Sequence, residues 1–258
     1  MPISTKPIPT TNPSGAIIAY DNFIDAATIT LDTSDPTLAV TPNTWERWRP
    51  NVGNFSAKFQ LTNIVDVNCI GIAAHNLSGE TLIISTAATV GGALTTVESV
   101  SPTDNKPIFL TFEARVTAEV IITSTLSAAN EIGVVFAGNY MQMPVALYGG
   151  HSPIALSQKT EYQSTESDTG QFLGRSITRQ GTIGDFAWRY IEPDWYRSTF
   201  QPFVVSARTE PFFIQWRPDY HPNEIAYCHT TSDIKPQNMG GGHTLMSVSI
   251  KVMAHNDV

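Results

Sequence analysis

The most restrictive stretch of this chain runs from Phe55 to Thr62. Phe55, Ala57, Phe59 and Leu61 alternate with Ser56, Lys58, Gln60 and Thr62. That period of two puts one apolar face on a core and one polar face in water, as in a half-buried strand. Short runs with strand character recur at Ala16–Tyr20, Val67–Ala74, Thr81–Thr86, Leu94–Val100, Pro107–Glu113, Ala118–Ser124 and Ile132–Tyr140. Between them lie residues suited to turns: Asn51-Val52-Gly53-Asn54, Ser78-Gly79, Gly91-Gly92 and Pro102-Thr103-Asp104-Asn105. Many short strands with this punctuation predict a β-sandwich or jelly roll over residues 15–142.

The pattern breaks at Met141–His151, where Pro144 and Gly149-Gly150 suggest a linker. A second β-rich domain is expected over 143–258, with strands at Gln171–Thr178, Thr182–Trp188, Phe212–Arg217, Glu224–His229 and Thr244–Ala254. One short helix interrupts it. Asp194 is placed to cap that helix, and Trp195, Phe203 and Ala207 share a face beside Tyr196, Phe200 and Val204. Pro202 should kink or split it. Residues 1–14, polar and proline-rich, read as an extended arm that is disordered alone or laid over a neighbour.

Composition narrows the function. Charged residues are 15% of the chain, against roughly a quarter in ordinary soluble proteins. The polar faces therefore rest on Ser, Thr, Asn and Gln, which suits strands and stable protein contacts. The formal net charge is −8, and there is no basic run, so nucleic acid is excluded as an expected partner. No stretch reaches the ~18 apolar residues of a membrane helix, and the N-terminus lacks a signal-peptide core. Synthesis in a cytoplasm without standard export is expected. Cys69 and Cys228 read as buried thiols, although a disulfide between them stays open.

Candidate chemistry is sparse. His75 ends an apolar run, where active-site residues often sit. It has only Asp66 and Glu80 as local acids, and no Gly-x-Ser-x-Gly nucleophile turn exists. With Asn76 it is better suited to ordering a turn. The six histidines and two cysteines show no metal-ligand spacing, so no metal and no cofactor is expected. Gly240-Gly241-Gly242 leads into a strand, unlike a phosphate loop. Glu161, Glu166 and Asp168 could serve glycoside chemistry or calcium, but their segment, 158–170, reads as a solvated loop. More informative are aromatic–arginine clusters: Trp45-Glu46-Arg47-Trp48-Arg49, Trp188-Arg189, Trp195-Tyr196-Arg197 and Trp216-Arg217. Trp and Arg anchor protein interfaces, and aromatic rings stack on sugars. Trp45, Trp48, Arg49, Trp195, Arg197, Trp216 and Arg217 are therefore candidate protein or glycan contacts. Alternatively, the rings fill core space with arginines laid over them.

The sequence IGIAAHNLSGETL, following the Phe55–Leu61 strand and the Trp45–Pro50 cluster, resembles a galactose-binding-like jelly roll of tailed-bacteriophage tail proteins. GRSITRQG, the Trp195 helix and TEPFFIQWRPDYHPNEIAYC also have a tail-protein look, of the distal-tail or tail-tip type. The resemblance implies a non-enzymatic virion structural protein, assembled in the host cytoplasm and resident in the tail. Its partners would be other copies of itself in a ring and neighbouring tail proteins. The alternative is a carbohydrate-binding adsorption module that contacts glycan on the host surface.

Overall fold

A computed structural model describes residues 15–24, 30–31, 36–149, 151, 153–240 and 245–255. The proline-rich 1–14 segment, and Gly241, Gly242 and His243 of the glycine run, lie outside the described residues. The strands are β1 (Gly15–Asn22), β2 (Thr30–Leu31), β3 (Gly53–His75), β4 (Leu82–Ala87), β5 (Leu94–Val100), β6 (Ile108–Leu126) and β7 (Ile132–Ala146). They continue with β8 (Gln158–Glu166), β9 (Phe172–Ile191), β10 (Phe212–Gln215), β11 (Ile225–Thr230), β12 (Gln237–Asn238) and β13 (Met246–Ala254). One antiparallel path runs β5-β4-β6-β3-β7-β1-β10-β11-β13-β9-β8, with β2 on β3 and β12 on β13. The protein is mainly β, as the alternation predicts, and among the described residues no helix is long and apolar enough to cross a membrane.

Three expected strand pairs are single long strands. The runs at Phe55 and Val67 are both β3, those at Pro107 and Ala118 are both β6, and those at Gln171 and Thr182 are both β9. No glycine or proline interrupts β3 between its two runs, so the chain stays extended. It bends instead at register shifts against β6, between Gln60 and Val65 and between Val67 and Cys69. The two halves of β3 then serve two layers. Phe55, Ala57, Phe59 and Leu61 share one buried core with Ile70 and Ile72 of the second half, and with Ile84, Val120, Ile122 and Val135. That shared interior makes residues 53–137 a β-sandwich.

The expected linker is partly strand. Met141–Ala146 belongs to β7, where Gln142 pairs with Ile17 and Ala146 with Gly15. The register shift between Gly15 and Ile17 lies opposite Pro144, so a bulge accommodates the missing N–H. β1 then joins the two regions: it pairs β7 on one side and β10 on the other. It is also apolar on both faces. Ile17 and Ala19 meet Cys69, Phe109, Phe136, Phe213 and Tyr227, while Ala16 and Ile18 face the C-terminal core of Phe186, Trp188, Phe200 and Phe203. Phe213 lies 5.5 Å from Phe109, nearly parallel to it, and 5.5 Å from Phe136, edge-on. Gly71 makes room for it: a Cβ there would stand 2.7 Å from the Phe213 ring.

The helix splits as expected, but Asp194 is not its cap. Glu192 occupies the cap position without a side-chain bond, Pro193 opens the first turn, and Asp194 lies inside that turn. A π turn over Tyr196–Phe200 separates this start from a short helix, Gln201–Ser206, that begins around Pro202. A proline cannot donate the i→i−4 bond, and the wider turn removes the demand for it. Tyr196, Phe200, Phe203, Val204 and Ala207 are buried, while Trp195 packs at the rim of their core. Cys69 and Cys228 are buried free thiols, and burial pushes both well above the usual thiol range. The segment read as a solvated loop is a β-hairpin. β8 and the first half of β9 pair from Gln158↔Thr182 to Glu166↔Phe172 around a turn at 167–170.

Candidate functional site: an exposed tryptophan at one end of the sandwich

The residues singled out around Trp45, His75 and Asn76 meet at one end of the sandwich. One residue before β3 ends at His75, Ala74 takes φ 54°, a left-handed conformation that costs a non-glycine residue on the order of 1 kcal/mol. Opposite it, Gly133 leaves the needed space, since a Cβ there would meet the Ala74 Cβ at 2.7 Å. The sharp turn is then fixed by side chains. The His75 Nδ1 accepts the Leu77 N–H at 3.3 Å, and Nε2 donates to the Lys106 carbonyl at 2.8 Å. These partners define a neutral ring with its proton on Nε2. His75 is buried and bonded on both ring nitrogens, as suits a turn-ordering residue.

Asn76 continues the chain of contacts. Its Oδ1 accepts the Glu131 N–H at 2.6 Å, and its own N–H donates to the Glu131 carbonyl at 3.2 Å. Glu131 is thereby held in place and clamps two arginines. Arg47 Nη1 reaches its Oε2 at 3.3 Å, and Arg49 Nε reaches its Oε1 at 2.8 Å. Arg47 also donates from Nε to the Thr44 carbonyl at 3.3 Å. Between the two arginines, Trp48 turns inward: it is 2% exposed and packs edge-on against Phe55 and Phe59. Backbone bonds in both directions between Trp48 and Ile132 pin the strip to β7.

Trp45 stands at the apex of this braced loop. Its N–H donates to Asn43 Oδ1 at 2.9 Å, which tightens the turn, and its side chain is 89% exposed. An indole normally buries most of its area, at a gain of roughly 25 cal/mol per Å². A full indole left in water on a loop tied by three side chains is an available apolar plane. Arg49, with a 77% exposed side chain, offers further N–H donors beside the clamp. Glu131 is the residue sequence reading missed: it sits in a short loop before β7, in no motif, and acquires its role only when that loop folds against Asn76.

Several expected contacts must be corrected. Trp48 is interior and cannot meet a partner. Trp216 is also buried; its indole N–H donates to Glu224 and its ring lies against His221 and His151. Trp195 and Arg197 belong to the helix and not to the Trp45 loop: Trp195 is half-buried against Phe200, and Arg197 pairs with Asp194 at 3.5 Å. Among the described residues no arginine covers a tryptophan. Arg217 lies over Tyr220, Arg189 over Tyr148, Arg175 over Tyr162 and Arg115 over Phe112. Glu161 and Glu166 project from β8 and Asp168 from its turn, all on the exposed hairpin.

No protein-family profile and no curated protein matches the sequence. Among solved structures, a mutant of a Ruminococcus gnavus GH29 fucosidase in complex with fucose is similar at 11% identity and a TM-score of 0.42. The match covers 47% of this chain and 27% of the fucosidase. The CBM32 of AlyQ, in complex with 4,5-unsaturated mannuronic acid, is similar at 23% identity and a TM-score of 0.38, over 46% of this chain and 96% of the module. A chitosan-binding module of a Paenibacillus sp. IK-5 chitosanase/glucanase is similar at 17% identity and a TM-score of 0.42, over 46% of this chain and 99% of the module.

Proposed function

We propose that this protein is a non-enzymatic binding protein whose N-terminal sandwich contacts carbohydrate through Trp45. The observation that carries the reading is the indole itself, 89% exposed on a loop held by Asn43, Arg47 and the Glu131 clamp. A pyranose presents an apolar C–H face and a rim of hydroxyls. An indole plane supplies the stacking surface, and a neighbouring guanidinium supplies directional donors. The loop is ordered before binding, so little entropy is lost on engagement. Glycan-array and cell-wall pull-down measurements on the full chain test it. Saturable binding that disappears in Trp45→Ala and survives in part in Trp45→Phe supports it. No saturable binding by the unmodified chain sinks it.

A second reading is a structural protein of a bacteriophage tail, at the tip, distal tail, baseplate or an adjacent collar. It is supported by the sequence resemblance and by a hairpin whose large apolar side chains are left in water: Tyr162, Phe172, Leu173 and Ile177. Such a ribbon suits assembly with other copies of the chain in a ring or with neighbouring tail proteins. The two readings are compatible, since an adsorption module can sit on the same particle. Mass spectrometry of purified virions is the test; a chain absent from the particle rejects the tail reading and leaves the carbohydrate reading standing.

A further inference from the structure

The β8–β9 hairpin is built unlike the rest of the sheet. In the pairing register Tyr162 lies opposite Ile177, and two residues on, Ser164 lies opposite Arg175. Those four share a face, with the Arg175 guanidinium 4.5 Å from the Tyr162 ring centre. The opposite face carries Gln163 against Ser176 and Thr165 against Gly174. Phe172 and Leu173 stand at the tip, 65% and 63% exposed. Glu166 and Asp168 flank them, and neither pairs with a cation among the described residues. The tip is therefore apolar with an acidic rim. A two-stranded hairpin without a partner layer is marginal in water.

At the base of the same hairpin lies a groove of about 560 Å³, a size that takes several side chains. Ile183, Met253 and Tyr148, whose ring is shared with Arg189, give it apolar walls. Its charged lining is two lysines, Lys159 and Lys251, and one carboxylate, Asp185, opposite Lys251 in the strand register. Lys251 makes no ion pair among the described residues, and Lys159 pairs only with Glu161, at 3.6 Å. The tip cannot reach its own groove. Beyond Lys159 the ribbon runs on along β8 from Thr160 to Glu166, roughly 23 Å at the rise of an extended strand.

We propose that the hairpin tip of one copy seats in the basal groove of a second copy. Phe172 and Leu173 enter between Tyr148, Ile183 and Met253, and Glu166 and Asp168 approach Lys159 and Lys251. Tip and groove are both on this chain, apolar side chains on each and a tip carboxylate pair facing a lining with two lysines against one carboxylate, and out of each other's reach, so a second copy is the fitting occupant. Exchange between two copies gives a closed dimer; head-to-tail seating gives a ring or chain. The inference rests on the assembly reading above and names its contact.

Sedimentation velocity on the full chain, across the micromolar range, tests it. Concentration-dependent association is expected. The Phe172→Ser/Leu173→Ser double variant should stay monomeric while its circular dichroism is unchanged, since both side chains are exposed. Asp168→Lys alone and Lys251→Glu alone should each weaken association about tenfold or more, and combining them should restore much of it. That rescue is a signature no merely structural effect would give. A chain that associates equally well with the double variant overturns the seat but leaves assembly through another surface. A chain that is monomeric throughout overturns self-association altogether.

Discussion

Two ribbons in this molecule are alike in outline and opposite in surroundings. β3 and β6 form one long bent pair; β8 and the first half of β9 form another. The first is covered: Phe55, Phe59, Ile70, Ile72, Leu110 and Val120 all face a closed interior. The second is open on both faces and carries its apolar side chains into water. The difference arises from the strands that adjoin each ribbon. β3 bends back on itself through register shifts and supplies its own second layer, and β4, β5 and β7 widen it. Beyond the β8–β9 turn the chain returns directly to the body, so among the described residues nothing from the same copy lies over the ribbon. A long strand pair is thus either the spine of a domain or an appendage, and the deciding factor is whether the same chain provides a facing layer.

The comparison can be broken most severely at Phe213, which ties the covered ribbon to the C-terminal half. Phe213→Ala empties a space between Phe109, Phe136 and Tyr227. A loss of about 3–5 kcal/mol is expected from lost burial plus the cavity, read from urea midpoints at unchanged m-value. Gly71→Ala attacks the same contact from the other side, because its new methyl meets the ring. About 1–3 kcal/mol of overpacking cost is expected, smaller than the cavity, and Phe213→Leu in the same chain should relieve part of it.

A third test concerns the turn that closes the covered ribbon. Glu80 is a buried carboxylate that accepts from the Ser127 hydroxyl at 2.6 Å, from the Ser127 N–H at 3.0 Å and from the Asn130 amide at 3.2 Å. The Ser127 hydroxyl first, then the backbone and Asn130 donors, hold its carboxyl below the ordinary 4.5. A depressed carboxyl contributes stability that is present above the unfolded value and lost as pH falls through the folded one. Glu80→Gln should therefore be less stable than the parent at neutral pH, and the gap should close below about pH 4.5. A gap that is constant with pH would show that charge plays no part there.

The smallest effect is expected from the open ribbon. Replacing residues 160–179 by a two-residue turn should change unfolding free energy by no more than about 0.5 kcal/mol, the usual range for surface changes. Limited proteolysis should cut the intact chain at 167–170 well before Met141–Ala146, which is strand. A large loss of stability on excision, or early cutting within 141–146, would erase the distinction between spine and appendage.

Legibility in the sequence divides along the same line. Alternation at Phe55–Leu61 is a local signal, as is that of Met246, Val248, Ile250, Val252 and Ala254 with Ser247, Ser249 and Lys251, and the structure places strands at both. The joining of neighbouring runs into β3, β6 and β9 was hidden, because a bend made by register shift uses no turn residue. The first half of β9 was legible as a strand at Gln171–Thr178, but its partner β8 was hidden for a different reason. Gln158, Lys159, Thr160 and Gln163 to Thr165 supply no apolar alternation, since no core lies beside them. At the site, Trp45, Arg49, His75 and Asn76 were visible as types in short motifs. That Trp48 points inward three residues from an exposed Trp45 depends on the facing layer, and Glu131 is defined only by the Asn76 contact across the fold.

The position of β1 has a consequence for the order in which the chain is made. β1 leaves the ribosome ahead of every other described strand, yet it pairs on one side with β7 and on the other with β10. Its β10 partner, Gln215 opposite Ile17, emerges roughly 200 residues later, and pairings that distant are slow to close. Until then the sandwich can form with β1 docked on β7, but the far side of β1 remains a bare strand edge, with Phe109 and Phe136 uncovered beside it. An edge of this kind is an open template for other chains. Translation that stalls before residue 212 would leave a folded N-terminal half with an adhesive flank, and completion of β10 and β11 is the step that seals it.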